Sequence, residues 1–248
     1  MSEAINTPAS TAMSLQGPET QDVSNELEVL TRLLPLAGAS ALELGCGAAD
    51  KTRQLAEQTG VSTIIAVEID PIQHEKNLQI NDLPKVAFRS YGAQEIAEPD
   101  AVFDIVLMFK SLHHVPAASL DQALEEIHRV LKPGGLAYFS EPVFAGAFNE
   151  IMRPFHDEEL VRQQAFAALQ RAADSALFDL QEEYFFRNVV RLKSWEQYQH
   201  GILNVTHTDH QLSDDVLAEV KKRFEAHHSD EGFVFEIPNR VDVLRRPG

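Results

Sequence analysis

Two short stretches carry residue types suited to holding a nucleotide-like group. In Leu42-Glu43-Leu44-Gly45-Cys46-Gly47-Ala48-Ala49-Asp50 an apolar strand runs through two glycines into a helix beginning near Asp50. Having no Cβ, Gly45 and Gly47 let a ligand approach the backbone closely. A tight strand-to-helix turn would use the same glycines, so the turn alone leaves both readings open. Glu68 ends the next strand, in Ala66-Val67-Glu68-Ile69-Asp70-Pro71, about one strand–helix–strand unit later. A carboxylate there can accept hydrogen bonds from both hydroxyls of a ribose, whereas Asp70 is placed to cap the helix that starts at Pro71.

The elements that must position these residues alternate in type. Strands are expected over 41–44, 63–67, 86–88, 103–108 and 135–139. Leu120, Leu124, Ile127 and Leu131 mark one face of a helix that stops at Pro133-Gly134-Gly135. Near-continuous apolar strands separated by helices predict an α/β fold: a Rossmann-like, doubly wound, mostly parallel sheet with helices on both faces. Such sheets bind ligands at the carboxyl ends of their strands. Before the sheet, Leu27, Leu30, Leu33 and Leu34 predict a helix that packs beside or over the site. After Glu141 the rhythm breaks. Residues from about 146 to 182 read as a helical insertion after the fifth strand, a lid, with Asp157 as an N-cap. A returning strand over 184–190, a capping box at Ser194-Trp195-Glu196-Gln197, a helix near Ser213 and a terminal strand pair interrupted at Pro238-Asn239 follow.

Length and composition set the frame. With 248 residues and 44% hydrophobic positions, one domain over 21–248 is expected, its core at 38–142, the insertion at about 146–182, and closing strands and helices at 183–248. Residues 1–20 are mostly small and polar and read as a flexible tail. A formal net charge of −17 disfavours a nucleic-acid partner, since such binding rests on Lys and Arg neutralising phosphates. No apolar run reaches the roughly 20 residues needed to span a bilayer, and the single Cys46 fits a reducing compartment. A cytoplasmic protein with no membrane partner is the expectation.

Together these segments resemble the class I S-adenosylmethionine-dependent methyltransferases of the small-molecule type, over roughly residues 40 to 142. Leu42 to Gly47 resembles the family's first motif and Val67-Glu68-Ile69-Asp70 its acidic second. Gly92-Ala93-Gln94-Glu95, Phe103-Asp104-Ile105-Val106, Ser111-Leu112-His113-His114-Val115 and Val130-Leu131-Lys132-Pro133-Gly134-Gly135 resemble the rest in order. The resemblance implies S-adenosyl-L-methionine as cofactor, with Glu43, Gly45, Cys46 and Gly47 around its methionine end, Glu68 on the ribose, and Ala93 and Gln94 beside the adenine. Two positions depart from the pattern. Ala49 replaces a third glycine and is expected to narrow the turn slightly. Ala93 replaces a frequent aspartate, which removes one adenine hydrogen bond.

Methyl transfer from a sulfonium is an in-line displacement, so alignment and exclusion of water are the main tasks. A general base is useful only where the accepting atom carries a proton, which makes His113, His114, Glu141 and His156 candidates by position. Lys110 is a candidate partner for an anionic group on the acceptor. Phe148, Arg153 and His156 combine bulk and charge suited to lining a lid, while Trp195 and Tyr198 read as core. No metal is expected, because none of the histidines stands at a recognisable ligand spacing from a carboxylate. The expected partner is a small-molecule acceptor. A nicotinamide-dependent oxidoreductase would share the turn and the carboxylate but not the Lys132-Pro133-Gly134-Gly135 segment. A catalytically silent cofactor-binding protein acting through its helical insertion, and a methyltransferase of a protein or RNA substrate, would both keep the same pocket.

Overall fold

The computed structural model describes residues 13–18, 21–203 and 212–248. In chain order the elements are β1 (Asp22–Val23), α1 (Glu26–Leu33), β2 (Ser40–Leu44), α2 (Asp50–Gln58), β3 (Thr63–Val67), α3 (Pro71–Asn77) and β4 (Val86–Arg89). There follow β5 (Phe103–Phe109), α4 (Leu120–Val130), β6 (Leu131–Pro142), α5 (Ala147–Met152), α6 (Glu159–Asp174) and β7 (Asp179–Leu192). The chain continues through α7 (Trp195–Tyr198), α8 (Asp214–Glu225), β8 (His228–Ser229) and β9 (Gly232–Arg245). One sheet runs in the order β1-β7-β9-β6-β5-β2-β3-β4. β2 to β6 are mutually parallel, while β9 is antiparallel to both β6 and β7.

The parallel strands are apolar on both faces because each face is covered. Along β5, Val106 and Met108 turn into the core under α4 and α6, whereas Ile105 and Leu107 turn into the core under α1 and α2. α4 presents Leu120, Ala123, Leu124, Ile127 and Val130 to the sheet, an i, i+3, i+4, i+7 stripe. The strand order reverses between β2 and β5, so a crevice opens beyond their carboxyl ends. α1 buries Val29 and Leu30 in the core on one face of the sheet. Its buried Glu26 accepts from Tyr138 Oη at 2.7 Å and Ser140 Oγ at 2.9 Å on β6.

Several boundaries differ from the sequence expectation. Residues 13–18 are not a free tail: Ser14 N donates to Glu183 Oε2 at 2.8 Å and Met13 packs against the core. The rest of the expected tail falls outside the described residues. β6 starts at Leu131 rather than at the glycines, and β7 extends from Asp179 to Leu192. The segment expected as a lid therefore divides. α6 buries Ala165, Phe166, Ala168, Leu169 and Ala172 and is a layer helix of the main core, and residues 179–182 already belong to β7. The expected terminal pair is one strand. β9 passes through Pro238 because the proline carbonyl still accepts from Val143 N at 2.9 Å, and the fully buried Asn239 donates to Asn188 Oδ1 at 2.6 Å. A separate aromatic cluster of Trp195, Tyr198, Phe224, Phe233 and Phe235 holds α7, α8 and the start of β9 together, which confirms Trp195 and Tyr198 as core. The Ser194 cap forms, its hydroxyl accepting from Gln197 N at 3.4 Å, but Gln197 reaches back to Lys193 N at 2.7 Å. Residues 204–211, which include His207 and His210, lie outside the described residues.

Candidate functional site

The glycine turn hangs from β3. The Val67 carbonyl accepts from both Gly45 N and Cys46 N at 2.9 Å. Gly45 (φ +77°) could not carry a side chain: a Cβ would stand 2.6 Å from the Ser111 Cβ. Ser111 needs that space because its Oγ donates to the Leu44 carbonyl at 2.8 Å, tying the loop after β5 to the end of β2. Gly47 (φ +51°) is different, since a Cβ there would meet nothing within 4 Å. Gly45 serves packing and Gly47 serves the open space. Ala49, where a third glycine is usual, takes φ 64° with its methyl buried, so the chain follows the left-handed path a glycine would.

Glu68 is held by two main-chain donors, Gly47 N on Oε2 at 2.8 Å and Asp70 N on Oε1 at 2.9 Å. Each carboxylate oxygen keeps capacity for another donor. Glu43 is buried and accepts from Thr52 Oγ1 at 2.7 Å. Burial raises its carboxyl to about 7, with the Thr52 hydroxyl and Lys51 opposing. Cys46 is a buried thiol pushed well up by burial and by the nearby Glu43 and Glu68 carboxylates, so it packs and does not act as a nucleophile. Asn77, which sequence reasoning missed, is fully buried at the end of α3. Its amide donates to the Gly47 carbonyl at 2.8 Å and contacts Cys46 Sγ at 3.6 Å.

Glu43, Gly45, Cys46, Gly47, Glu68 and Asp70 line a cleft of about 1190 Å³ at the carboxyl ends of β2, β3 and β5. One end is bordered by Tyr91, Gly92, Ala93 and Gln94 after β4, the other by Phe109 at the end of β5 and by Lys110, His114 and Val115 after it; His200 also lines the cleft. The Gln94 carbonyl accepts from Gln122 Nε2 at 2.9 Å, which fixes the loop after β4 on α4. Lys110 takes a left-handed φ of 53° as the strand ends. Its side chain opens onto the cleft, yet the surrounding protein keeps the ammonium short of water and lowers its pKa, against the pull of Glu26.

The candidate acid–base residues separate into two groups. His114 opens onto the cleft; crowding by protein and the adjacent His113 push its pKa down to about 4, which keeps it neutral at pH 7. His113 and Glu141 are buried and do not line the cleft. His113 Nδ1 pairs with Glu141 Oε2, and Glu141 Oε1 accepts from Leu112 N at 2.9 Å. They fix the loop that carries His114. Burial opposes charge on His113, but Glu141 and Glu158 outweigh it and raise the imidazole to about 9. Glu158, also missed from the sequence, is held well below the usual carboxylate range despite its burial. Hydrogen bonds from His113 and His156 and the charge of Arg162 do this.

The expected lid residues stand away from the cleft lining. Phe148 packs edge-on against Phe235 and Tyr198, with ring centroids 5.3 Å and 6.0 Å apart. Arg153 is shared among Glu150, Asp157 and Glu159 at 3.4–4.0 Å. His156 Nε2 stands 2.7 Å from Glu158 Oε1. Among the described residues His113, His114 and Glu158 bring ligand atoms within 4.8 Å of one another, a grouping that their spacing in the sequence does not show.

Residues 41–135 match the family described as a methyltransferase domain. Over 105 residues the chain is 34% identical to the demethylmenaquinone methyltransferase of Lysinibacillus sphaericus (strain C3-41), covering 40% of this chain and 42% of that protein. Over 107 residues it is 32% identical to the ubiquinone biosynthesis O-methyltransferase of Pseudomonas syringae pv. tomato, covering 42% of this chain and 45% of that one. The match thus spans less than half the length of these curated relatives. In fold, the chain is similar to the YcgJ protein of Bacillus subtilis, with a TM-score of 0.64 and 17% identity over 90% of this chain and 98% of that chain.

Proposed function

We propose, from the premise that this chain carries a class I S-adenosylmethionine-dependent methyltransferase domain, that it transfers a methyl group to a small-molecule acceptor by in-line displacement. The observation that carries the reading is the pairing of Glu68 with the Gly47 amide at 2.8 Å, beside a glycine whose missing Cβ faces open space. A carboxylate already oriented by two backbone donors and a backbone open to close approach fit a ribose and its attached chain. When bound, the cofactor supplies an electrophilic methyl group on a sulfonium.

The chain's own residues do the rest. Glu68 holds the ribose hydroxyls, Glu43 with Gly45, Cys46 and Gly47 borders the methionine end, and Ala93 and Gln94 border the adenine. Lys110 and His114 face the other end of the cleft, where Lys110 suits an anionic or polar group on the acceptor. A neutral His114 can take a proton from an acceptor hydroxyl or amine. His113 and Glu141 act behind it as positioning residues.

Three observations support a small acceptor. The cleft exceeds the roughly 300–1,000 Å³ typical of a single small-molecule site. The net charge of −17 repels polyanions, and the relatives named above carry quinone-pathway names. No helix among the described residues is long and apolar enough to cross a membrane, and with its lone cysteine the chain suits the cytoplasm. Calorimetry with S-adenosylhomocysteine and with NAD tests the reading. Binding of the first and not the second is expected; tight NAD binding with no response to S-adenosylhomocysteine overturns it.

A further inference from the structure

We infer that His113, His114 and Glu158 form a binding site for a divalent transition-metal ion in the wall of the cleft. Each offers one ligand atom, and these atoms lie within 4.8 Å of one another. His113 Nε2 and Glu158 Oε1 are 3.4 Å apart. That is long for an N–H···O bond, whose usual range is roughly 2.7–3.2 Å. It equals the spacing, about 3.4 Å, of neighbouring ligands around a tetrahedral ion with bonds of about 2.0–2.1 Å.

The surroundings aim these atoms at a common point. A carboxylate only accepts, so the contact between His113 Nδ1 and Glu141 places a proton on Nδ1 and directs Nε2 toward Glu158. Glu141 is itself fixed by the Leu112 amide at 2.9 Å. A carboxylate behind the distal nitrogen is the arrangement that sets tautomer and ring orientation in metal-ligating histidines. On the other side, Arg162 occupies Glu158 Oε2 through two contacts of 2.6 Å and 3.1 Å, leaving Oε1 turned to the histidines. His156 Nε2 contacts that same oxygen at 2.7 Å and stands beside the ion rather than among its three ligands.

Glu141 and Glu158 bring two buried carboxylates, balanced by the Arg162 guanidinium and by the charge on His113. A divalent ion takes the place of a proton on His113 Nε2. Two imidazoles and one carboxylate suit zinc, cobalt, manganese or iron, whereas magnesium and calcium favour oxygen. Since His114 opens onto the cleft while the other two lie behind its wall, the ion reaches the cleft with a coordination position left open, as in catalytic rather than structural sites. This site goes beyond methyl transfer; a bound ion would take the one free lone pair of His114 and so excludes the base role given to that residue above, while the cofactor-binding reading is untouched.

The full chain, freed of metal by a chelator and then titrated with Co²⁺, tests the site. One equivalent should bind and give visible ligand-field absorption that Zn²⁺ displaces. His114→Ala, on the cleft wall, and Glu158→Gln, which keeps the side-chain shape, should each weaken Co²⁺ binding at least tenfold. Calorimetry with S-adenosylhomocysteine on the same samples reports whether the fold and the cofactor pocket persist, independently of metal. Failure of the wild-type chain to bind Co²⁺ or Zn²⁺ overturns the site. So does undiminished binding by both variants, which would put the ion elsewhere.

Discussion

Asn77 and Gly47 are joined across the glycine turn, the buried amide of the first donating to the carbonyl of the second at 2.8 Å. Asn77→Ala leaves that carbonyl without its donor and should cost about 1–3 kcal/mol of stability. At this chain length each kcal/mol corresponds to roughly 2–4 °C in Tm. Because the turn borders the cleft, S-adenosylhomocysteine affinity should fall with it. Thermal melts and calorimetry that leave both quantities unchanged would remove Asn77 from the site.

Glu68 holds the same turn from the other side. Each charge-assisted hydrogen bond to a ribose hydroxyl contributes roughly 1.5–3 kcal/mol, and about 1.4 kcal/mol is one factor of ten. Glu68→Ala should weaken cofactor binding by about tenfold or more with the fold retained. Glu68→Gln, which can still accept on one atom, should lie between the two. An unchanged dissociation constant for Glu68→Ala would place the ribose elsewhere.

The two glycines should respond differently to the same substitution. Both lie at positive φ, but only at Gly45 would a Cβ collide with Ser111. Gly45→Ala should therefore destabilise the protein by roughly 1–3 kcal/mol through overpacking, beyond the conformational cost. Gly47→Ala should be milder in Tm and far more harmful to cofactor affinity, because its methyl enters the space a ligand occupies. Equal losses of stability with equal affinities would refute this division.

Glu43 predicts a pH dependence. Its carboxyl is raised to about 7 in the folded protein, against 4.5 ordinarily, so the native state holds this proton more tightly than the unfolded chain does. Its contribution to stability is complete below about pH 4.5 and is lost as pH rises through about 7. A cationic sulfonium favours the ionised form, so S-adenosylmethionine affinity should climb between about pH 6 and 8. Neutral sulfur in S-adenosylhomocysteine should show a weaker trend, and Glu43→Gln should flatten both. Parallel profiles for the two ligands in the wild-type chain would show that Glu43 does not sense the sulfonium.

What the sequence made legible was local. Gly45, Gly47 and Glu68 are named by residue type at short spacing, and β2, β3 and β5 by apolar runs that are mostly buried. Other features depend on contacts that no window of sequence holds. Glu158 meets His113 only because the α5–α6 connection folds against the loop after β5. Asn77 looked like an ordinary polar residue at a helix end until α3 packed it under the turn. Pro238 read as a break because a proline lacks its N–H, yet in β9 the neighbouring groups find partners without it. Residues 13–18 read as tail, although Ser14 finds a partner in Glu183 of β7 and Met13 packs against the core.

β9 lies between β6 and β7, yet it follows both in the chain. Until it arrives, β6 has an open edge, and β7 has no neighbour but the two-residue β1. Closing the sheet therefore waits on pairings of long sequence separation, the slow kind. During that wait two long strands, Leu131–Pro142 and Asp179–Leu192, offer unsatisfied ladders to any other copy. Yield on refolding should accordingly fall with protein concentration well before the finished molecule shows any tendency to associate.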